Sequence, residues 1–396
     1  MAGQSLADGL LDRVPDKIRP AVQELVYSCL RQFGRGDFFL ARLLHKPLAE
    51  AEIHALLLVA ISRLELEPEF AHTVVDQAVT ASGVLHNGRF KALTNGVLRA
   101  FLRQHPQLQA EAGNDVVATY CHPDWWLIRL RAAFPEAWRE VAAAGNQRPP
   151  MAVRVNRRRA DRDSWLAEFQ SIQAGALASG KDGVLLEQAL PVGRLPGFVE
   201  GLVSVQDPGA QRAVDLLAPA SGSRVLDACA APGGKAAHLL ERADIDLLAL
   251  DLKPARCRMI AENLQRLGLQ AEIKVANCVR LDEWWDRRFF DAVLADVPCT
   301  ASGVVRRHPD SKWLRREADI ASFSGQQSAI LDALWQVVKP GGKLLYATCS
   351  VFPEENHVQM ARFVDRTPDA VLEHEEQLLP DREHDAFYYC LLEKKP

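Results

Sequence analysis

Hydrophobic residues in the first third of the chain recur every three or four positions, the spacing of one buried helix face. Val22–Leu30, Val74–Val79 and Leu93–Leu102 show this spacing most clearly. Glycines and prolines between such segments are typical of helix ends, and Pro106 is one expected stop. The pattern predicts an all-helical domain over residues 1–145.

A second pattern begins after the segment Asn146–Pro150, whose composition is typical of a linker. Met151–Asn156 alternates like a short strand, Ser164–Ile172 has helical spacing, and Gly183–Leu190 is a further candidate strand. We therefore expect a small mixed α+β subdomain over residues 146–205.

From Ser223 onward, short apolar runs alternate with helical segments. This alternation predicts an α/β fold with a parallel sheet covered by helices on both faces, in a domain spanning residues 206–396. The expected strands are Arg224–Ala228, Leu247–Leu250, Ile273–Val275, Ala292–Ala295 and Lys343–Ala347, and the expected helices are Lys235–Arg242, Pro254–Leu267 and Phe323–Val338.

The composition is that of an ordinary globular protein, with 48% hydrophobic and 25% charged residues. The apolar run Leu56–Ile61 is too short to cross a bilayer, and the start of the chain lacks a signal-peptide pattern, so we expect a cytoplasmic protein. Its eight cysteines include no CxxC pair, which argues against a zinc site and a disulfide framework. No metal is expected.

Two short segments concentrate positive charge although the formal net charge is −4. Such clusters are either solvated faces or phosphate-binding surfaces, because the local field and not the sum attracts nucleic acid. The first contains Arg154, Arg157, Arg158, Arg159 and Arg162, and the second contains Arg306, Arg307, Lys312, Arg315 and Arg316.

A loop rich in small residues, Asp227–Lys235, follows the first strand of the predicted sheet, where ligands of such sheets bind. It contains neither the GxGxxG dinucleotide fingerprint nor a GxxxxGK[ST] loop. Asp251 ends the next strand, where a carboxylate accepts hydrogen bonds from ribose hydroxyls. The combination favours S-adenosylmethionine, although Asp227 and Asp251 could instead cap the following helices.

Two cysteines follow later strands, Cys299 in Asp296-Val297-Pro298-Cys299 and Cys349 in Thr348-Cys349-Ser350. A lone buried cysteine is usually inert. Because the carboxyl ends of parallel strands meet at one edge of a sheet, we expect both thiols to lie beside the cofactor loop.

These motifs resemble those of the RNA 5-methylcytosine methyltransferases, particularly the subgroup that modifies small-subunit ribosomal RNA. The resemblance covers nearly the whole chain and includes a Rossmann-like catalytic domain and an amino-terminal domain similar to the antitermination factor NusB. The matching segments are Asp227–Lys235, Asp296–Cys299, Ala347–Ser350, Gln206–Gln211, Gly303–Asp310, Pro353–Asn356 and Asp385–Tyr389.

The resemblance implies a role for each catalytic residue. Cys349 would add to C6 of cytosine, because C5 is too poor a nucleophile to take a methyl group without covalent activation. Cys299 would assist release of the methylated base, and Asp296 would bind the N3/N4 edge of the ring. The cofactor would be held by Asp251, Asn277, Asp296 and the loop Cys229, Ala230, Ala231, Pro232, Gly233, Gly234 and Lys235.

Asn277 departs from the family, which usually has an aspartate there to accept a hydrogen bond from the adenine amino group. The implied partner is ribosomal RNA with an unstacked or single-stranded cytosine. We expect a monomer that contacts RNA through Arg154, Arg157, Arg158, Arg306 and Arg307.

Three other functions remain open at this point. A DNA cytosine methyltransferase would share the fold, but it needs only the cysteine of the Pro-Cys motif. A 5-methylcytosine methyltransferase could act on tRNA or another RNA. A non-catalytic ribosome-assembly factor would bind RNA without methylating it, but packing alone does not require both Cys299 and Cys349.

Overall fold

The computed structural model describes residues 5–6, 9–172 and 175–396. The chain forms two compact units. One contains the residues up to Arg148 together with Val305–Arg316, and the other contains Pro149–Val304 and Glu317–Pro396. The division into three domains at residues 145/146 and 205/206 stays a prediction.

The first unit is helical, as the sequence predicts. Its core includes Phe39, Leu57, Ile61 and Leu98. Pro106 does not stop a helix but lies inside α5, which continues because Leu108 and Ala112 also pack into this core. The helices are α1 (Arg19–Arg31), α2 (Phe33–Leu43), α3 (Ala51–Leu66), α4 (Ala71–Val84), α5 (Lys91–Ala112), α6 (Val116–Tyr120), α7 (Asp124–Ala133), α8 (Trp138–Ala144) and, later in the chain, α14 (Ser311–Leu314).

The second unit begins with a small antiparallel sheet in the order β2-β3-β1-β4. One helix packs on it through Trp165 and Phe169, whose rings stack with centroids 5.1 Å apart. The periodicity of the sequence predicted β1, α9 and β3, whereas β2 and β4 were not predicted. The elements are β1 (Met151–Val155), α9 (Arg162–Ile172), β2 (Ala176–Ser179), β3 (Gly183–Leu186) and β4 (Val203–Val205).

A larger sheet follows, with the strand order β10-β11-β9-β8-β5-β6-β7. Strands β9, β8, β5, β6 and β7 are parallel, as expected. Strand β11 runs antiparallel to both of its neighbours, β9 and β10. The five predicted strands are therefore parallel, and the antiparallel pair β10 and β11 at one edge was not predicted. The strands are β5 (Arg224–Asp227), β6 (Asp246–Asp251), β7 (Glu272–Val275), β8 (Phe290–Asp296), β9 (Val338–Thr348), β10 (Ala370–Leu378) and β11 (Phe387–Lys394).

Helices cover both faces of the larger sheet because neighbouring residues of each strand point to opposite sides. In β5, Val225 belongs to the same core cluster as Ile260 on one face, whereas Leu226 belongs to the cluster of Leu331 on the other. Within the described residues no helix is long and apolar enough to cross a membrane. The helices are α10 (Pro208–Leu217), α11 (Gly234–Arg242), α12 (Pro254–Leu267), α13 (Leu281–Trp284), α15 (Glu317–Val337) and α16 (His357–Arg366).

Candidate active site

The strand order of the larger sheet reverses at β5, whose neighbours are β6 on one side and β8 on the other. Ligands of open α/β sheets bind beyond the carboxyl ends of the strands at such a switch point. The segment Asp227–Lys235 connects β5 to α11 there. Gly233 has a φ of 98°, and a Cβ at this position would lie 3.2 Å from Cα of Ile260. The turn therefore requires glycine.

Asp227 is the last residue of β5, and its carboxylate has few hydrogen bonds. Its side chain is buried, and neither carboxylate oxygen has a hydrogen-bond partner within the described chain. Burial, reinforced by the negative charge of Asp296, raises the pKa of Asp227 to about 7.

Lys235 and Asp296 form an ion pair at the same edge, with Nζ of the lysine 2.6 Å from Oδ2 of the aspartate. Lys235 belongs to the first turn of α11 and Asp296 ends β8. Burial alone would lower the pKa of Lys235, but the Asp296 carboxylate outweighs it and raises that pKa above the ordinary value. The lysine is therefore held as an ammonium beside Asp296.

The two cysteines predicted to meet do so: Sγ of Cys299 lies 3.4 Å from Sγ of Cys349. Parallel pairing of β8 with β9 brings them together, since Asp296 is in register with Ala347. Cys349 is half-buried and Cys299 is buried. The hydrogen bond with Cys349, together with burial, raises the pKa of the Cys299 thiol well above its ordinary value. Cys299 is therefore protonated near neutral pH.

Asp251 is the last residue of β6, and Asn277 follows the neighbouring strand β7 at the same edge. Oδ1 of Asp251 accepts a hydrogen bond from the Lys253 amide at 3.1 Å, and Oδ2 lies 3.6 Å from Nε of Arg256. Oδ1 of Asn277 accepts from the Val279 amide at 3.1 Å. Each side chain thus stabilises the turn in which it lies. The carboxylate of Asp251 can still accept a hydrogen bond from a further donor.

Cys229 lies in the segment Asp227–Lys235 but does not join the Cys299–Cys349 pair. A hydrogen bond with Cys278, and then burial, raises the pKa of the Cys229 thiol well above its ordinary value. Such a thiol is a poor nucleophile at neutral pH. In the described part of the chain, no cluster of three or more His, Cys, Asp or Glu side chains could hold a metal ion.

Two of the arginines expected to contact RNA are buried, which corrects that prediction. Arg154 is 0% exposed and forms a bidentate pair with Glu241, with both N–O distances 2.8 Å. It also donates to Oε1 of Gln206 and, at 2.8 Å, to the carbonyl oxygen of Gly234. Arg306 is 2% exposed. Neither guanidinium is therefore accessible to a phosphate.

The remaining basic residues are more accessible. Arg157 is 55% exposed and lies 3.3 Å from Oδ1 of Asp182. Arg158 donates to the carbonyl oxygens of Leu240 at 2.6 Å and Ala243 at 3.0 Å, so it caps the end of α11 while staying partly exposed. Arg307 is half-buried.

Lys312, also in the second basic segment, is not a surface charge. Its Nζ donates to Oδ1 of Asn146 at 2.5 Å, and burial lowers the pKa of Lys312 to about 7.

Sequence reasoning missed several polar residues around the site. Gln206 and Glu241 hold Arg154, and Glu355 bonds to the residues that follow both cysteines. Glu355 lies in a segment noted only for its resemblance, and nothing in its spacing indicated what it would contact.

Three family descriptions match the chain. "16S rRNA methyltransferase RsmB/F" matches residues 214–393, and a ferredoxin-like domain of RsmF/B-like methyltransferases matches residues 122–193. The NusB family matches residues 4–103. These matches confirm the predicted fold class, with its NusB-like amino-terminal domain and carboxy-terminal methyltransferase domain.

Ribosomal RNA small subunit methyltransferase B of Erwinia tasmaniensis is 43% identical to the chain, covering 99% of this chain and 95% of the relative. The crystal structure of PH0851 superposes with a TM-score of 0.79 at 23% identity, covering 97% and 92% of the two chains. A methyltransferase homolog protein from Pyrococcus horikoshii superposes with a TM-score of 0.63 at 26% identity, covering 70% and 97%. The chain therefore belongs to the RsmB/F family of 16S ribosomal RNA methyltransferases.

Proposed function

We propose that this protein transfers a methyl group from S-adenosylmethionine to C5 of a cytosine in small-subunit ribosomal RNA, through a covalent bond between Cys349 and C6. The observation that carries the proposal is the 3.4 Å separation of the Cys299 and Cys349 sulfur atoms. The Lys235–Asp296 ion pair at the same sheet edge supports it.

The loop between β5 and α11 suits an adenosine cofactor. Asp251, at the end of the neighbouring strand, suits the ribose hydroxyls. The backbone from Cys229 to Gly234 and the side chain of Asn277 would complete the contacts. When bound, the cofactor supplies an electrophilic methyl group.

Cys349 would begin the reaction by forming a bond to C6, which turns C5 into an enamine-like carbon able to take the methyl group. The attacking species is the thiolate. The ammonium of Lys235 is within electrostatic reach of Cys349. Lys235 thus has two partners, Asp296 and the nucleophile.

Asp296 and Cys299 would act after Cys349 has bonded to C6: Asp296 while charge develops on the ring, and Cys299 when the product is released. The Asp296 carboxylate would accept from the N4 amino group and hold the ring while charge develops on it. After methyl transfer the C5 proton must leave and the bond between Cys349 and C6 must break. The buried thiol of Cys299, beside the Cys349 sulfur, would assist this release.

The RNA must present an unstacked cytosine, because a thiol cannot reach C6 inside a stacked helix. Arg157, Arg158 and Arg307 are the proposed phosphate contacts, and the NusB-like domain is a further RNA-binding element. We propose that the protein acts as a monomer in the cytoplasm, where it meets ribosomal RNA.

Methylation of purified small-subunit ribosomal RNA, with tRNA and DNA in parallel, tests this function. We expect 5-methylcytidine at one site of the ribosomal RNA, detected by bisulfite sequencing and by mass spectrometry of nucleosides. Sequencing of ribosomal RNA from cells with and without the protein then identifies the cytosine. Methyl transfer to tRNA or DNA but not to ribosomal RNA would overturn the substrate, and methylation of another atom would overturn the chemistry.

A further inference from the structure

The segment Pro353–Asn356 takes no part in the chemistry proposed above, yet it contains a fully buried carboxylate. Glu355 ends a short 3-10 turn between the Cys349 loop and α16, and it is 0% exposed. Burying an ionised carboxylate costs several kcal/mol of free energy unless hydrogen bonds within the protein replace those it makes with water. The donors that replace water around Glu355 therefore indicate what it does.

Four donors surround the Glu355 carboxylate. Oε1 accepts from the Thr300 amide at 2.9 Å and from Nε2 of Gln327 at 3.1 Å. Oε2 accepts from Oγ1 of Thr300 at 2.5 Å and from Oγ of Ser350 at 2.6 Å. An ionised carboxylate is an acceptor only, so this set of donors matches its capacity.

The positions of these donors in the chain connect Glu355 to both thiols. Thr300 directly follows Cys299, and Ser350 directly follows Cys349. One carboxylate therefore holds the two loops that carry the sulfur atoms, although the cysteines are 50 positions apart in sequence.

Asn356 braces the Cys349 loop from the other side. Its Oδ1 accepts from Oγ1 of Thr348 at 2.6 Å, and its Nδ2 donates to the Ser350 carbonyl oxygen at 2.9 Å. The residues before and after Cys349 are thus fixed by consecutive residues of one turn. Two thiols that act in sequence on one ring must be held in fixed positions, and these hydrogen bonds fix the loop that carries Cys349.

We propose that Glu355 is a positioning residue that sets the separation of Cys299 and Cys349 through Thr300 and Ser350. It touches neither base nor cofactor, and its effect on turnover rests on the proposed function. Misplacement of a reacting group by about 1 Å costs on the order of 100-fold in rate. Loss of the brace should therefore lower kcat and leave binding of RNA nearly unchanged.

Single hydroxyl deletions test the proposal with little risk of misfolding. Ser350→Ala and Thr300→Val each remove one donor to Glu355. Ser324→Ala is the matched control, because it removes a buried hydroxyl that bonds to the Glu354 carbonyl oxygen and Gln359 instead. Glu355→Gln keeps the size of the side chain but replaces one acceptor oxygen with an amide donor.

Two readouts separate positioning from general stability. The first is kcat and KM for methyl transfer, where we expect kcat to fall about tenfold in Ser350→Ala and Thr300→Val and more in Glu355→Gln, with KM within about twofold. The second is the rate at which diamide joins Cys299 to Cys349 in the free protein, which should slow in the same three variants. Ser324→Ala should match the wild type in both.

If Ser350→Ala and Thr300→Val behave like Ser324→Ala in both readouts, the positioning role is overturned. The diamide readout uses neither RNA nor cofactor, so it distinguishes this proposal from the proposed function. Slower disulfide closure would support the positioning role even if the wild-type protein made no 5-methylcytosine.

Discussion

Sγ of Cys299 and Sγ of Cys349 are 3.4 Å apart, at the ends of two adjacent parallel strands. A disulfide needs about 2.05 Å, so a small movement would join them. We predict that diamide, which takes up both thiol hydrogens and becomes a hydrazine, converts the pair to a disulfide. Methyl transfer should then stop and return after reduction with dithiothreitol.

Peptide mapping by mass spectrometry identifies the joined cysteines. The informative comparison is Cys229 with Cys278, a second hydrogen-bonded pair in the same unit. Inactivation that tracks the Cys229–Cys278 disulfide, or inactivation of the wild type without a Cys299–Cys349 disulfide, would contradict the prediction.

The order of the strands made the meeting of these thiols predictable. Each cysteine follows an apolar run in an alternating strand–helix pattern, and parallel strands end at the same edge. The bracing by Glu355 was not predictable, because it depends on a tertiary contact between loops that are 55 positions apart in sequence. Local spacing holds no information on such a contact.

The last part of the sheet was missed for a different reason. β10 and β11 form an antiparallel pair at the edge, outside the strand–helix alternation on which the prediction relied. The run Phe387–Leu392 is apolar enough to indicate a buried strand, but its direction is not encoded in composition. Likewise, a run of arginines is typical of a solvated face, and only the contact with Glu241 explains why Arg154 is buried.

Asp227 should make stability depend on pH. The folded pKa is about 7, because of burial and then the Asp296 charge, against an ordinary value of 3.8. Between these values the folded protein keeps a proton that the unfolded chain has released. The contribution of Asp227 to stability should therefore be fully present below about pH 4 and be lost as pH rises through 7, by about 4 kcal/mol at roughly 1.4 kcal/mol per pKa unit.

Urea unfolding of the wild type and Asp227→Asn at pH 4, 6 and 8 measures this effect. The neutral amide should make the variant more stable than the wild type at pH 8, with the difference shrinking towards pH 4. Asp296, Lys235 and Asp251 are present in both proteins, so the difference between the two curves reports on Asp227. Parallel curves would exclude the raised pKa.

Arg154 should matter for stability and not for RNA binding. Arg154→Met would leave Glu241 as an unpaired buried carboxylate, which costs about 3–5 kcal/mol of unfolding free energy. Adding Glu241→Leu should recover much of the loss, since an apolar pair of similar volume replaces the ion pair. Urea unfolding of the single and double variants checks this. A single variant as stable as the wild type would refute the prediction.

Arg157→Ala is the matching change at an exposed arginine. The pair with Asp182 contributes about 0–1 kcal/mol, so the free energy of unfolding should hardly change. RNA affinity should fall, and the slope of log K against log salt should decrease by about one. Titration of ribosomal RNA at several salt concentrations measures both. An unchanged salt slope would remove Arg157 from the RNA contacts.

Asn277→Asp should tighten cofactor binding. The single amide oxygen of Asn277 already accepts from the Val279 amide at 3.1 Å. A carboxylate has a second oxygen and a charge, so it could keep this bond and also accept from the adenine amino group. Fluorescence titration with S-adenosylmethionine should give a Kd several-fold lower. Weaker binding would contradict this account of the substitution.

Trapping of the protein–RNA adduct tests the two-thiol mechanism most directly. Wild type, Cys349→Ala and Cys299→Ala are each incubated with small-subunit ribosomal RNA and S-adenosylmethionine, then separated on a denaturing gel. We predict that Cys299→Ala accumulates a covalent adduct carrying the methyl group, because addition proceeds but release fails. Cys349→Ala should give neither adduct nor methylated RNA. Methyl transfer by Cys349→Ala at the wild-type rate would contradict the account.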